Sequence, residues 1–270
     1  MNRREMIASA ALIGSGGLML GTAAAQAQDA AAGSSRLAQI LKRGSIRIGT
    51  TGDFNPMSFR DATTNSYKGY DIEAMTAMAA DLEVEPEWVA TDWATITAGI
   101  AADRFDIFSG ASINVARARV AAFSVPYTEA GTVPLALKSN AERFPDWTAI
   151  NAAGVKVAVS MGTVFEEQAR RHFPDATIQA VQTPATGFQE VLAGRADVTI
   201  TSNVEAGELA RRFPELAILV SGLQMRNHRP FAYVVNQSDY GWLNFVNTWV
   251  TLRRIDGFYD GLNAKWLGQA

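Results

Sequence analysis

Ala102-Asp103-Arg104-Phe105-Asp106-Ile107 and Ala193-Gly194-Arg195-Ala196-Asp197-Val198 carry one pattern twice. Each closes a helical stretch on a turn-forming residue, passes an arginine, and enters an apolar strand through an aspartate. The flanking periodicities match as well. Before the first copy, Ser45-Ile46-Arg47-Ile48-Gly49-Thr50 alternates as a strand, and Ile72, Met75, Met78, Ala79 and Leu82 share a helical face. A strand at 86–90, a helix at 93–103 and a strand at 105–109 follow. Around the second copy come strand 155–159, helix 163–173, strand 177–182, helix 186–194, strand 196–201, helix 203–212 and strand 216–220. Strand and helix alternating twice in the same order predict two similar α/β lobes, each on a parallel sheet.

The chain returns through Pro230-Phe231-Ala232-Tyr233-Val234-Val235. It ends in two helices, about 238–254 and 256–266, whose Trp242, Phe245, Trp249, Phe258 and Trp266 need burial. Packed on the first lobe, these helices require two crossings between lobes, near 126–132 and 224–232. The expected architecture is therefore two α/β lobes joined by a two-strand hinge, with a ligand cleft between them. Lobe 1 is 36–128 plus 229–270, and lobe 2 is 132–225. Ligands favour such a cleft, at the carboxyl ends of the strands.

The 270 residues carry 24 basic against 27 acidic side chains, so nucleic acid is not an expected partner. The chain has no cysteine, which excludes disulfides and thiol chemistry. His172 and His228 lack ligand spacing, and no metal or organic cofactor is expected. At the start, Arg3-Arg4, an apolar stretch from Met6 to Leu20 and Ala25-Gln26-Ala27 read as an export signal over 1–27. Asn2-Arg3-Arg4-Glu5-Met6-Ile7 resembles a twin-arginine signal, with an ordinary secretory signal as the alternative. Residues 28–35 read as a flexible lead, and no later segment suits a membrane span.

Four constellations point at the cleft. Ser109, Gly110, Ser112 and Arg117 follow a strand end; Gly110 admits a ligand to the backbone and Arg117 offers a fork for a carboxylate. Such a charged hydrogen bond contributes about 1.5–3 kcal/mol. The alternative leaves Asn114 as a helix cap and Arg117 on the surface. Ser160 and Thr163 precede a helix whose dipole favours an anion, although Thr163 to Glu166 also reads as a capping box. Phe54 and Trp93 can stack on a flat ligand or fill the core. Ser202 to Glu205 again fits a capping box; otherwise Glu205 is a cleft carboxyl whose burial makes it a proton donor near neutral pH.

Ile48-Gly49-Thr50 with Phe54 and Pro56, Gly69-Tyr70-Asp71-Ile72, Arg104-Phe105-Asp106-Ile107, Ser112 with Arg117, Phe123-Ser124-Val125-Pro126-Tyr127 and Gly162-Thr163 together resemble the family 3 periplasmic solute-binding proteins. The resemblance runs from about 36 to 268. It implies a periplasmic binding protein-like fold, a periplasmic location, an amino-acid-like or small carboxylate ligand, and an ABC permease as partner. It implies that Arg117, Ser112, the Ser109-Gly110 backbone and Thr163 hold an α-carboxylate, with Phe54 as an aromatic platform. Relatives place acids where this chain has Thr51 and Ser202, so the ammonium of a standard amino acid loses a partner, one that Glu205 partly replaces.

Within the family, the first lobe is most similar to the cyclohexadienyl dehydratases, through Thr50-Thr51-Gly52-Asp53-Phe54, Ser112-Ile113-Asn114 and Ala141-Glu142-Arg143-Phe144. That likeness implies Glu205 as the general acid of a carbon–oxygen lyase and Trp93 as a pocket residue. The second lobe departs from it. Thr132 stands where those enzymes carry a lysine and Ser202 where they carry an aspartate, which removes preorganised charge.

Overall fold

The computed structural model describes residues 35–268. The signal segment and all of the lead except Ser35 lie outside the described residues. Ser35 caps the first helix, accepting a hydrogen bond from the Ala38 N–H at 3.2 Å.

The elements run α1 (Arg36–Arg43), β1 (Ser45–Thr50), β2 (Asp53–Phe54), β3 (Ser58–Arg60), β4 (Tyr67–Lys68), α2 (Tyr70–Asp81), β5 (Glu85–Ala90), α3 (Ile96–Ala101), β6 (Ile107–Ser112), α4 (Val115–Ala118) and β7 (Ala122–Phe123). A long strand, β8 (Thr128–Leu137), leads into α5 (Trp147–Ile150), β9 (Lys156–Ser160), α6 (Val164–His172), β10 (Thr177–Val181), α7 (Gly187–Leu192), β11 (Val198–Ser202), α8 (Asn203–Arg212) and β12 (Leu216–Ile218). A second long strand, β13 (Arg226–Val235), returns the chain to α9 (Tyr240–Ile255) and α10 (Phe258–Leu262).

One sheet runs through both lobes in the order β10-β9-β11-β8-β13-β6-β1-β5. Each outer trio is parallel, as expected from the strand–helix alternation. The centre is not: β8 and β13 are antiparallel to each other and to β11 and β6, so the sheet is mixed. The two long strands are the crossings, paired from Thr128 opposite Phe231 to Thr132 opposite Arg226. A hinge of two strands running in opposite directions needs no further crossover connection.

The repeated motif occupies equivalent corners. Asp103 and Gly194 both adopt left-handed backbone, at φ 58° and 68°. Asp106 then accepts the Arg47 N–H at 2.7 Å, and Asp197 accepts the Lys156 N–H at 2.8 Å. In each lobe an aspartate thus ties the incoming strand to its neighbour. Both corners delay their strand by two residues: β6 starts at Ile107 rather than 105 and β11 at Val198 rather than 196, and in the first corner Phe105 fills the space beside Gly49 and Gly99.

The cores divide as the elements do. One cluster draws on Ile40 to Ala130 and Phe231 to Leu262; two others draw on Val133 to Val220. The terminal helices close the first core: the Trp242 indole donates to the Asp106 carbonyl at 3.0 Å and that of Trp249 to Asp81 at 2.6 Å. The small sheet β2-β3-β4 has strands of two or three residues, too short for periodicity to reveal. No helix among the described residues is long and apolar enough to cross a membrane.

Candidate functional site

A cleft of about 640 Å³ beside the hinge lies between the carboxyl ends of the two sets of strands. Phe54, Trp93, Gly110, Ser112 and Arg117 line it from one side; Ser160, Thr163 and Glu205 line it from the other. Eight of the eleven residues singled out from the sequence thus share one cavity.

Arg117 is held by its local sequence. Asn114 caps the short α4 by accepting the Arg117 N–H at 2.7 Å, which turns the side chain back under β6. The surface alternative fails, since Arg117 is only 8% exposed. Its guanidinium donates to the Ser112 carbonyl at 3.1 Å and, across the cleft, to the Gly162 carbonyl at 3.1 Å. Burial, reinforced by the charge of Arg229, lowers its pKa to about 10. Among the described residues no carboxylate lies within ion-pair distance of it. A buried cation resting on carbonyls alone is a strong receptor for an anion.

Gly110 has a different reason for being glycine from the expected one. A side chain there would meet the Tyr127 hydroxyl at 2.0 Å and the Asp71 carboxyl at 2.8 Å, at φ 152°. The missing methyl makes room for the protein, while the glycine itself still borders the cavity. Tyr127 donates to Asp71 at 2.7 Å, and burial raises the pKa of that carboxyl well above the usual range.

Phe54 and Trp93 are both mostly buried and meet edge to face, with ring centroids 5.8 Å apart. Phe54 also packs on Phe231, at 6.0 Å. The aromatic wall therefore belongs to core and cleft at once, and the Arg117 guanidinium lies 6.0 Å from the Trp93 ring centre.

On the opposite wall the Ser160–Thr163 turn satisfies itself. The Thr163 hydroxyl donates to the Ser160 carbonyl at 2.6 Å and accepts the Glu166 N–H at 3.3 Å. Glu166 in turn accepts the Gly162 N–H at 2.8 Å. This is the expected capping arrangement shifted back by one residue, and it uses donors that an anion would otherwise find.

Glu205 departs from its capping box. Ser202 does accept the Glu205 N–H, at 3.1 Å. The Glu205 carboxyl does not reach back to the backbone; it accepts from the Thr201 hydroxyl beside the cleft. The residue keeps part of its surface open to the cavity it lines, yet the protein packed around it raises its pKa to about 8, with the nearby Asp53 charge adding to the effect. It holds a proton at neutral pH.

Three of the residues lie outside the main cavity. Thr51 and Ser109 are buried, with hydroxyls that lack a hydrogen-bond partner. Ser109 alternates with Gly110 on a pleated strand, which takes its side chain to the other face. Ser202 is spent on its helix cap and borders a smaller recess next door.

Asp53 was not foreseen. It accepts the Trp93 indole N–H at 2.9 Å and, from the opposite wall, the Thr183 hydroxyl at 2.8 Å. Its place in Thr51-Gly52-Asp53-Phe54 marks it as a turn residue and hides that role. Phe165, Thr186, Phe188, Thr199 and Thr201 complete the second wall, and helix and strand periodicity assigned them no part in the cleft.

Two α/β lobes on a paired-strand hinge, closed over a cavity with a buried guanidinium held only by backbone carbonyls, define a solute-binding protein. The chain belongs to family 3 of the bacterial extracellular solute-binding proteins, which it matches over residues 46–269. It is 34% identical to cyclohexadienyl dehydratase of Pseudomonas aeruginosa over 92% of this chain and 90% of that one. It is 26% identical to the L-cystine-binding protein of Escherichia coli over 86% of each. The fold matches the crystal structure of an ancestral amino-acid-binding protein, a precursor of cyclohexadienyl dehydratase, with a TM-score of 0.81 and 35% identity over 86% of this chain and all of that one. The fold is that of the periplasmic binding proteins.

Proposed function

We propose that this protein is a periplasmic receptor that closes on a small carboxylate or amino-acid-like ligand and delivers it to an ABC permease. Arg117 carries the reading: a buried guanidinium with no carboxylate in ion-pair contact among the described residues, Glu167 acting on it only from farther away, and touching both walls of the cleft. A ligand carboxylate supplies the missing charge and, bound only when the walls meet, favours the closed form. The Phe54–Trp93 wall suits an apolar ligand body, and Asp53 and Glu205 offer acceptors for an amino or hydroxyl group. Kinship with amino-acid-binding proteins supports the ligand class, and the Arg3-Arg4 segment supports export through an N-terminal signal.

A thermal-shift screen of amino acids and simple carboxylates tests this. Saturation at a hundredfold excess over Kd stabilises the fold by about 2.7 kcal/mol. A hit whose shift survives Arg117→Ala contradicts the carboxylate site.

One observation favours a second reading. Glu205 faces the cleft protonated at neutral pH, as a general acid must. With prephenate or arogenate bound, it would give its proton to the departing ring hydroxyl, so the C–O bond breaks and water forms. The ring carboxylate leaves as carbon dioxide, and the electrons of that C–C bond complete the aromatic ring. The 34% identity to a cyclohexadienyl dehydratase supports this lyase; the absence of a lysine at Thr132 weighs against it. Mixing the protein with prephenate and following the aromatic product decides the matter, and full activity in Glu205→Gln rejects Glu205 as the acid.

A further inference from the structure

Helix α9 is the longest helix among the described residues, and its two faces differ. Trp242, Val246, Trp249 and Val250 bury one face against the first lobe. The other carries Tyr240, Asn244, Thr248, Thr251, Leu252 and Ile255, all exposed and none charged. Steps of three and four residues put these six on one stripe about 24 Å long. Tyr240, Leu252 and Ile255 are three of the eight large apolar side chains exposed among the described residues, so exposed apolar surface gathers on this helix.

Other surface helices are built differently. On α6, Glu166 pairs with Arg170 and Glu167 with Arg171; on α8, Glu208 pairs with Arg211. The charges that α9 does carry are drawn off to its flanks. Arg253 binds Asp81 and Asp256, and Arg254 donates to the Pro126 carbonyl at 3.2 Å. An exposed stripe with apolar ends and no charge of its own favours burial against another surface. None of its six residues lines the cleft, so such a contact leaves the ligand site untouched.

The stripe reads nearly the same in both directions. A large apolar side chain stands at each end, Tyr240 and Ile255, with short uncharged ones between. Turned end for end about Thr248, Tyr240 comes opposite Ile255, Asn244 opposite Thr251, and Thr248 opposite itself. An isologous contact requires that symmetry, whereas a lipid surface or an unrelated protein does not. The short central side chains also let two helices approach to the usual interaxial distance of about 8–10 Å. We propose that α9 packs antiparallel on α9 of a second copy, making a two-fold dimer through lobe 1. Two such stripes bury on the order of 1,000 Å² in total, the low end for a specific interface, so a weak dimer is expected. Lobe 2 takes no part in the contact, and both clefts stay free to open and close.

Sedimentation velocity on the full mature protein, from about 1 to 500 μM, tests this, with a concentration-dependent shift from monomer to dimer expected. Thr248→Lys sets two ammonium groups side by side on the two-fold axis and should weaken the dimer at least roughly tenfold. An unchanged melting temperature shows that this variant keeps its fold. Because the chain has no cysteine, Thr248→Cys carries a single thiol. Oxidation should join two copies through it, since a disulfide needs Cα atoms within about 7 Å, and Ser221→Cys, exposed but off the stripe, should cross-link far less. A monomer at every concentration overturns the proposal. So does a dimer that Thr248→Lys leaves intact, and so does equal cross-linking at the two thiols. A monomer that pellets with anionic lipid vesicles also overturns it and gives the stripe to a membrane instead.

Discussion

The two lobes share a frame and differ in their walls. Each turns its corner through a left-handed residue and an aspartate that grips the next strand: Asp103 with Asp106 in one, Gly194 with Asp197 in the other. Above those corners the first lobe offers a guanidinium and aromatic rings, and the second offers hydroxyls and a protonated carboxyl. The frame is what a repeated α/β unit requires to fold. The walls are where the two copies are free to diverge, and a ligand gripped by one and enclosed by the other ties its affinity to closure.

That division can be broken experimentally. The largest effect belongs to the cationic wall. Arg117→Ala should weaken a carboxylate ligand by about 2–5 kcal/mol, roughly 30-fold to several thousandfold, as read by calorimetry. A small loss would mean that the first lobe does not dominate recognition.

The acidic wall is probed by pH. The Glu205 pKa is raised to about 8 in the folded protein, above the ordinary carboxyl value near 4.5. The folded state therefore binds more protons than the unfolded one between those values. The stability from this group is complete below about pH 4.5, declines as pH rises and is gone above about pH 8, a swing on the order of a few kcal/mol. Thermal melts of the wild type should fall across that window relative to Glu205→Gln. Parallel curves would return Glu205 to an ordinary solvated acid.

Closure itself is sharpened by Gly162→Ala. A methyl there would lie 2.5 Å from the Ala94 backbone of the opposite wall, at φ 75°. The clash exists only when the walls meet, so affinity should fall by about 1–3 kcal/mol, with ligand-bound scattering profiles shifted towards the open form. Unchanged affinity would show that the walls do not need to touch. The smallest effect is expected for Thr183→Val, which removes the hydrogen bond to Asp53 across the cleft. A loss of about 1.5 kcal/mol, roughly tenfold in Kd, the low end for a hydrogen bond to a partly solvated carboxylate, is expected.

Much of this is legible without coordinates where local pattern carries it. The helix over Arg36–Arg43, the alternation of β1 and the apolar face of α2 follow from spacing. The small sheet β2-β3-β4 does not, because its strands are shorter than any period. Arg117 is visible as a fork after a strand end, but whether it is a surface cation or a buried one depends on α4 turning it under β6. Asp53 is hidden for a related reason. Its partners are Trp93 and Thr183, and Thr183 lies on the other lobe.

The sequence by itself determined the repeated α/β plan and the family, since these rest on periodicities and motifs within a few turns of chain. Only the tertiary structure decided that Arg117 is buried on backbone carbonyls with no acid within ion-pair distance among the described residues, that burial raises the pKa of Glu205, and that Gly110 is filled from behind by Tyr127. Charge, proton affinity and free space are set by what lies within a few ångströms, and in a cleft those neighbours come from segments that meet only after both lobes have folded.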